Sequence, residues 1–183
     1  HRDVNLKNVM IAFEGDVKIT DFGIAKARGL LQDQEGEVVA GKVDYMSPEQ
    51  SNFQITDKRS DIFSVGIVLA QLLLGHNIFK GASMSESRER VQSMAVPDFR
   101  TLDPRIDEQL NKVLHKCLER DLARRYPNAD ELLHDLEHYI SFTDAGQDRG
   151  DEDVLVTPND AREIHPLHRP LIDQIGRRFR VEE

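Results

Sequence analysis

Residues 62–74, IFSVGIVLAQLLL, constrain this chain more than any other segment. A helix drawn through residues 59–74 carries apolar side chains on nearly every side, broken by Ser64 and Gln71. Such a helix has no solvent face and must be covered all round. A bilayer would cover it too, but a span takes about 20 residues and this run is too short. The expectation is a mainly α fold built around one central buried helix.

The flanking sequence supplies the covering elements. Ile106, Leu110, Val113, Leu114, Cys117 and Leu118 recur at helical spacing. So do Leu132, Leu133, Leu136, Tyr139 and Ile140, after a capping-box-like Asn128 and Glu131. Residues 84–94 read as a polar helix with Ser83 and Glu86 as its capping box. Before these helices, residues 9–13 and 17–20 are short β-type runs around a Glu14-Gly15-Asp16 turn, which predicts a hairpin. Residues 21–49 carry no period and read as one long loop; loops of that length in a compact domain are functional or disordered. Residues 143–153, TDAGQDRGDED, are acidic and lack large apolar groups. They divide the chain into a folded domain, 1–140, and an acidic, partly disordered linker and tail, 141–183. A short helix is expected over 169–180, with the basic cluster at Arg177, Arg178 and Arg180 read as a solvated end; contact with a membrane or an acidic partner is the alternative.

Charge and cysteine use exclude some partners. Lys plus Arg number 24 against 33 Asp plus Glu, a net charge of −9. That balance suits neither a nucleic-acid backbone nor a general anionic membrane surface, so no nucleic-acid partner is expected. The single cysteine, Cys117, excludes an internal disulfide and fits a reducing, cytoplasmic setting. It falls on an apolar stripe, so its expected role is packing. His134 and His138 lie four apart but off the apolar stripe, with no third ligand at motif spacing, and read as surface residues.

The first sixty residues carry the chemistry. His1-Arg2-Asp3 precedes Asn8, and Asp21-Phe22-Gly23 follows across the hairpin. Ser47-Pro48-Glu49 closes the long loop; Asp61, Ser64 and Gly66 open the apolar helix; Arg125 comes before Tyr126 and Pro127. Each triplet alone is weak, but five in this order are specific. The set resembles the C-terminal lobe of the protein kinase superfamily over residues 1–140. The Tyr45-Met46-Ser47-Pro48-Glu49-Gln50 segment is most similar to bacterial eukaryotic-like serine/threonine kinases. The resemblance implies a kinase-like C-lobe with a small hairpin at its catalytic edge, α+β in the full-length protein. It implies ATP and Mg²⁺, protein Ser/Thr hydroxyls as substrates, and an N-terminal lobe supplied from outside this chain. By itself the chain is then expected to be catalytically incompetent. A membrane tether elsewhere in the full-length protein is compatible with this reading.

The resemblance also assigns roles. Asp3 would be the carboxylate that takes the hydroxyl proton. Asn8 and Asp21 would hold Mg²⁺ against the ATP phosphates, with the hard oxygens that ion prefers. Phe22, Gly23 and Arg2 would be structural, as would Asp61, which accepts backbone N–H groups from the His1-Arg2 segment. Glu49 and Arg125 would form a buried ion pair.

Two departures fall on one contact. The family's serine/threonine members carry Lys two residues after the catalytic Asp; here that residue is Asn5. They carry Thr after the Gly that corresponds to Gly41; here it is Lys42. A positional swap follows as an expectation: Lys42 supplies the cation and Asn5 is its hydrogen-bond partner. Lys7 is the rival cation, at the spacing where many tyrosine kinases place Arg. Arg2 precedes Asp3 as in kinases switched by loop phosphorylation, yet residues 21–42 contain no Ser, Thr or Tyr. Asp33, Glu35 or Glu37 is expected to pair with Arg2 in place of phosphate. The alternatives are a pseudokinase acting as a scaffold and a small-molecule phosphotransferase on the same fold.

Overall fold

The computed structural model describes residues 1–13, 15–21 and 43–147, with side chains as far as residue 141. Phe22, Gly23, Lys42, Asp33, Glu35, Glu37 and everything from residue 148 onward lie outside the described residues.

The chain enters as an extended loop with a 3-10 turn at Leu6–Asn8, capped by the Asn5 side chain. The expected hairpin follows: β1 (Val9–Ile11) pairs antiparallel with β2 (Val17–Ile19), with Met10 opposite Lys18. Ala12 N–H donates to the Asp16 carbonyl at 2.8 Å, and Gly15 takes φ +89°, a left-handed value open to glycine. Among the described residues the remaining regular structure is helical: α1 (Pro48–Ser51), α2 (Lys58–Leu74), α3 (Met84–Ser93), α4 (Phe99–Leu102), α5 (Glu108–Cys117) and α6 (Ala129–Gln147).

The apolar run is α2. Asp57 caps its first turn by accepting from Arg59 N–H, and Gly75 ends it at φ +78°. Every residue from Ile62 to Ala70 is buried. Its two polar interruptions are both used. Ser64 Oγ donates to the Tyr45 carbonyl at 2.7 Å, and Gln71 Oε1 accepts from Tyr45 Oη at 2.6 Å. What interrupts the apolar pattern is therefore what fastens residues 43–49 to the helix.

Around α2 the expected stripes close the core. α5 packs on α2, and α6 packs on α5. Phe63 stacks on Phe79 with ring centroids 5.8 Å apart, and both are fully buried. Each such side chain contributes roughly 1.5–3 kcal/mol by leaving water. Cys117 is fully buried against α2, and burial pushes its thiol well above the ordinary range, which fits packing and not reactivity. Gly66 explains how closely α2 and α5 approach: a Cβ there would stand 2.6 Å from Cys117 Cβ. His134 and His138 are exposed on α6.

Three details differ from the sequence expectation. Pro48 and Glu49 of α1 were placed in the long loop and residues 99–102 of α4 were assigned no element, because four residues cannot show a helical period; polar caps hold both helices, at Ser47 and Asp98. The Glu86 carboxylate reaches Ala82 N–H, one residue before the cap, while Ser83 Oγ accepts from Glu86 N–H as expected. Helix α6 runs on to Gln147, into the segment read as linker. No proline interrupts it there, and its one glycine, Gly146, falls in the last turn, where it costs least.

The Glu49–Arg125 pair is buried beneath the segment that precedes α2. Arg125 Nη1 lies 2.7 Å from Glu49 Oε1, and the two side chains are 0% and 6% exposed. Ser60 Oγ donates to the same carboxylate at 2.7 Å. Arg125 also donates to the carbonyls of Arg59 and Glu119 and lies over the Phe63 ring. Burial acts to raise the Glu49 carboxyl, but hydrogen bonds from Arg125 and Ser60 outweigh it and leave it below its ordinary value.

Two outcomes follow. Gly66→Ala should lower unfolding free energy by about 1–3 kcal/mol in a denaturant titration, since neither helix can move aside without opening the core. A folded-state pKa below the unfolded one gives stability that is full at neutral pH and lost as the pH falls through the carboxylate range. Arg125→Met should therefore remove about 3–5 kcal/mol at neutral pH, and less at a pH low enough to protonate Glu49.

Candidate functional site

Residues 1–8 have little regular structure of their own, so other elements must position them. Asp61, in the first turn of α2, does most of this. Its Oδ2 lies 2.8 Å from the His1 main-chain nitrogen, and its Oδ1 accepts Arg2 N–H at 2.7 Å. Charge-assisted bonds of this kind are roughly twice as strong as neutral ones. Arg2 sits at φ +66°, a conformation costly for a side chain with a Cβ. Gln50 Nε2, from α1, holds the Arg2 carbonyl at 3.2 Å. Val4 buries its side chain in the core, and Leu6 packs against it.

The His1 ring ties this loop to the hairpin. Asp3 N–H donates to His1 Nδ1 at 3.3 Å, which assigns the ring proton to Nε2. Nε2 then donates to the Thr20 carbonyl at 3.1 Å. Thr20 N–H in turn donates to the Asn8 carbonyl at 2.8 Å. These bonds fasten the end of β2, and with it Asp21, to both ends of the loop. Asp21 takes φ +61°, a left-handed conformation that Asp tolerates better than most residues.

The hairpin thus brings together Asp3, Asn8 and Asp21, which are scattered in sequence. Asn8 is buried, and its Nδ2 donates to the Asp3 carbonyl at 2.8 Å. That bond commits the amide nitrogen of Asn8 to the protein. An amide oxygen and a carboxylate are hard donors that fit Mg²⁺, which usually keeps several waters and few protein ligands. Asn5 Nδ2 donates to both the carbonyl and the Oδ1 of Asp3, each at 3.0 Å. Lys7 carries an exposed side chain beside them.

The sequence missed the residues that hold this site in place. Ser60 on Glu49, Gln50 on Arg2, and Tyr45 with Gln71 were not singled out. One signal was available: Ser47-Pro48-Glu49-Gln50 has capping-box spacing, and the box forms, with Gln50 N–H on Ser47 Oγ and Ser47 N–H on Gln50 Oε1. The contact of Asp61 with residues 1 and 2 and the burial of Glu49 with Arg125 were anticipated. Lys42, Phe22 and Gly23 lie outside the described residues.

Comparison with known proteins agrees with this geometry. The family model for the protein kinase domain matches residues 1–136. The probable serine/threonine-protein kinase PknB of Lactococcus lactis is 33% identical over 183 residues, covering 95% of this chain and 28% of that protein. That coverage necessarily takes in part of the segment after residue 140. The probable serine/threonine-protein kinase CPE1738 of Clostridium perfringens is 38% identical over 138 residues, 75% of this chain and 20% of that protein. The tyrosine-protein kinase MasK of Myxococcus xanthus is 34% identical over 141 residues, 77% of this chain and 22% of that protein. The chain spans less than a third of the length of each relative. A match over most of the chain, on a helical core with its loop, hairpin and buried ion pair in place, shows that this chain belongs to the protein kinase domain family.

Proposed function

We propose that residues 1–140 are the C-terminal lobe of a serine/threonine protein kinase, followed by a tail over 141–183. In the full-length protein this lobe would work with an N-terminal ATP-clamping lobe. The observation that carries the reading is the gathering of Asp3, Asn8 and Asp21 at one hairpin, with the Asn8 amide nitrogen bonded to the Asp3 carbonyl. A second observation agrees. Met10, Ile11 and Phe13 expose large apolar side chains at the hairpin, a surface that an adjoining lobe would cover. Two relatives carry serine/threonine names and one a tyrosine name; the Tyr45-Met46-Ser47-Pro48-Glu49 segment supports serine/threonine specificity.

The mechanism is mostly positioning. Asp3 orients the Ser or Thr hydroxyl and takes its proton as the new O–P bond forms and the bond from the γ-phosphorus to the ADP oxygen breaks. Asn8 and Asp21 would hold Mg²⁺, which when bound neutralises charge on the phosphates. A further cation near the γ-phosphate comes from Lys42, with Lys7 as the rival. Asp61, Arg2, Glu49 and Arg125, with Phe22 and Gly23, hold the parts in register. ATP as co-substrate and the lone buried thiol suit a cytoplasmic setting. Among the described residues no helix is long and apolar enough to cross a membrane. The departures at Asn5 and Lys42 favour a second reading, a pseudokinase scaffold.

The test is transfer from Mg·ATP to Ser-, Thr- and Tyr-containing peptides by the full-length protein. Wild-type protein should label Ser or Thr, and Asp3→Ala should lower kcat by roughly 10²–10⁴-fold. Asp21→Asn should remove Mg²⁺-dependent turnover. Lys42→Ala should cost turnover if Lys42 supplies the cation, and Lys7→Ala should do so if Lys7 does. Nucleotide binding without transfer in the wild type would replace the enzyme reading with the scaffold.

A further inference from the structure

Asn5 stands where the resemblance calls for lysine, and both ends of its amide are engaged. Nδ2 donates to the Asp3 carboxylate and to the Asp3 carbonyl, each at 3.0 Å. Oδ1 accepts Lys7 N–H at 3.0 Å and so caps the 3-10 turn. The residue is 6% exposed, so water competes little for these bonds. A lysine ammonium has donors only and could not accept from Lys7. The amide does both. It ties the turn to the carboxylate through one planar group. Asn8 Nδ2 reinforces the arrangement from the other side, on the Asp3 carbonyl at 2.8 Å. The Asp3 carbonyl is therefore held by two amides, and one of the two also donates to its carboxylate.

We propose that Asn5 is a positioning residue for Asp3: its side-chain amide fixes the rotation of the Asp3 carboxylate toward the incoming hydroxyl, a task separate from supplying a cation to the phosphate. This differs from a role as hydrogen-bond partner to Lys42, and it rests on the kinase reading above. It also makes the substitution at residue 5 a change of device, with the cation displaced elsewhere and an orienting bond put in its place.

The experiment is a double-mutant cycle in the full-length protein, with Asn5→Ala, Asp3→Ala and the pair. Asn5→Ala should lower kcat by about 10–100-fold, the scale of loss that misplacing a reacting group produces. KM for the peptide and the affinity for Mg·ATP, measured by direct binding, should stay within about twofold, because Asn5 is assigned no contact with either. In the Asp3→Ala background the same replacement should cost nothing further, because the group it acts through is gone. Asn5→Ser guards against a folding artefact: its hydroxyl oxygen is a good acceptor for Lys7 N–H at this cap position, while the amide donor to the Asp3 carboxylate is gone. It should retain the wild-type melting temperature and still lose kcat. Losses that multiply in the double mutant, or an Asn5→Ala protein with unchanged kcat, would overturn the assignment alone. A wild-type protein without turnover would overturn the kinase reading and this assignment with it.

Discussion

One carboxylate ties the chemistry to the core. Asp61 leaves the first turn of α2 and takes the main-chain nitrogens of His1 and Arg2, 2.8 and 2.7 Å away. The loop it holds is nearly devoid of its own backbone ladder, so its shape is imposed by the helix that packs beneath it. That helix is buried on all sides and cannot rotate or slide without opening the core. Polar groups placed on it are fixed references. Asp61 positions residues 1 and 2, while Ser64 and Gln71 position Tyr45 and the segment leading to Glu49.

The candidate site carries backbone strain against this rigid base. Arg2 and Asp21 both adopt positive φ, and each such conformation costs about 1–3 kcal/mol unless the surroundings over-determine it. Around Arg2 they do: Asp61 takes its N–H and Gln50 its carbonyl. Around Asp21, the preceding Thr20 is bonded to both His1 and Asn8. The Glu49–Arg125 pair acts one layer lower. It joins the start of α1 to the chain before α6 and so closes the polar layer under the loop. Phe53 carries a third positive φ, +56°, and its ring is 77% exposed with Arg88 5.4 Å from its centre. The main chain accounts for it: Phe53 N–H donates to the Gln50 carbonyl at 3.1 Å and Gln54 N–H to the Glu49 carbonyl at 2.9 Å, the paired bonds of a left-handed cap that ends α1.

The core was legible because it obeys one strong rule. A helix with no polar face needs covering, and the stripes at Ile106–Leu118 and Leu132–Leu136 were visible at helical spacing. The hairpin was legible from two β runs around Glu14-Gly15-Asp16. The site was legible only through the order of its motifs, since Asp3, Asn8 and Asp21 are each ordinary loop residues when taken singly. The side chains that hold the site were hidden for a physical reason. Tyr45, Gln71, Ser60 and Gln50 act over long sequence separations through single hydrogen bonds, and no period or spacing marks such contacts. The contacts of Asn5 were hidden for a related reason. Its substitution suggested a missing cation, while its geometry shows an amide donating to one neighbour and accepting from another.

Asp61 holds the loop, while the helical core stands without it. Hydrogen exchange on full-length Asp61→Ala protein tests this directly. Amides of residues 1–8 and of the hairpin should lose protection, while those of α2, α5 and α6 keep their wild-type rates. Wild-type protection in residues 1–8, or equal loss throughout the helices, would contradict it.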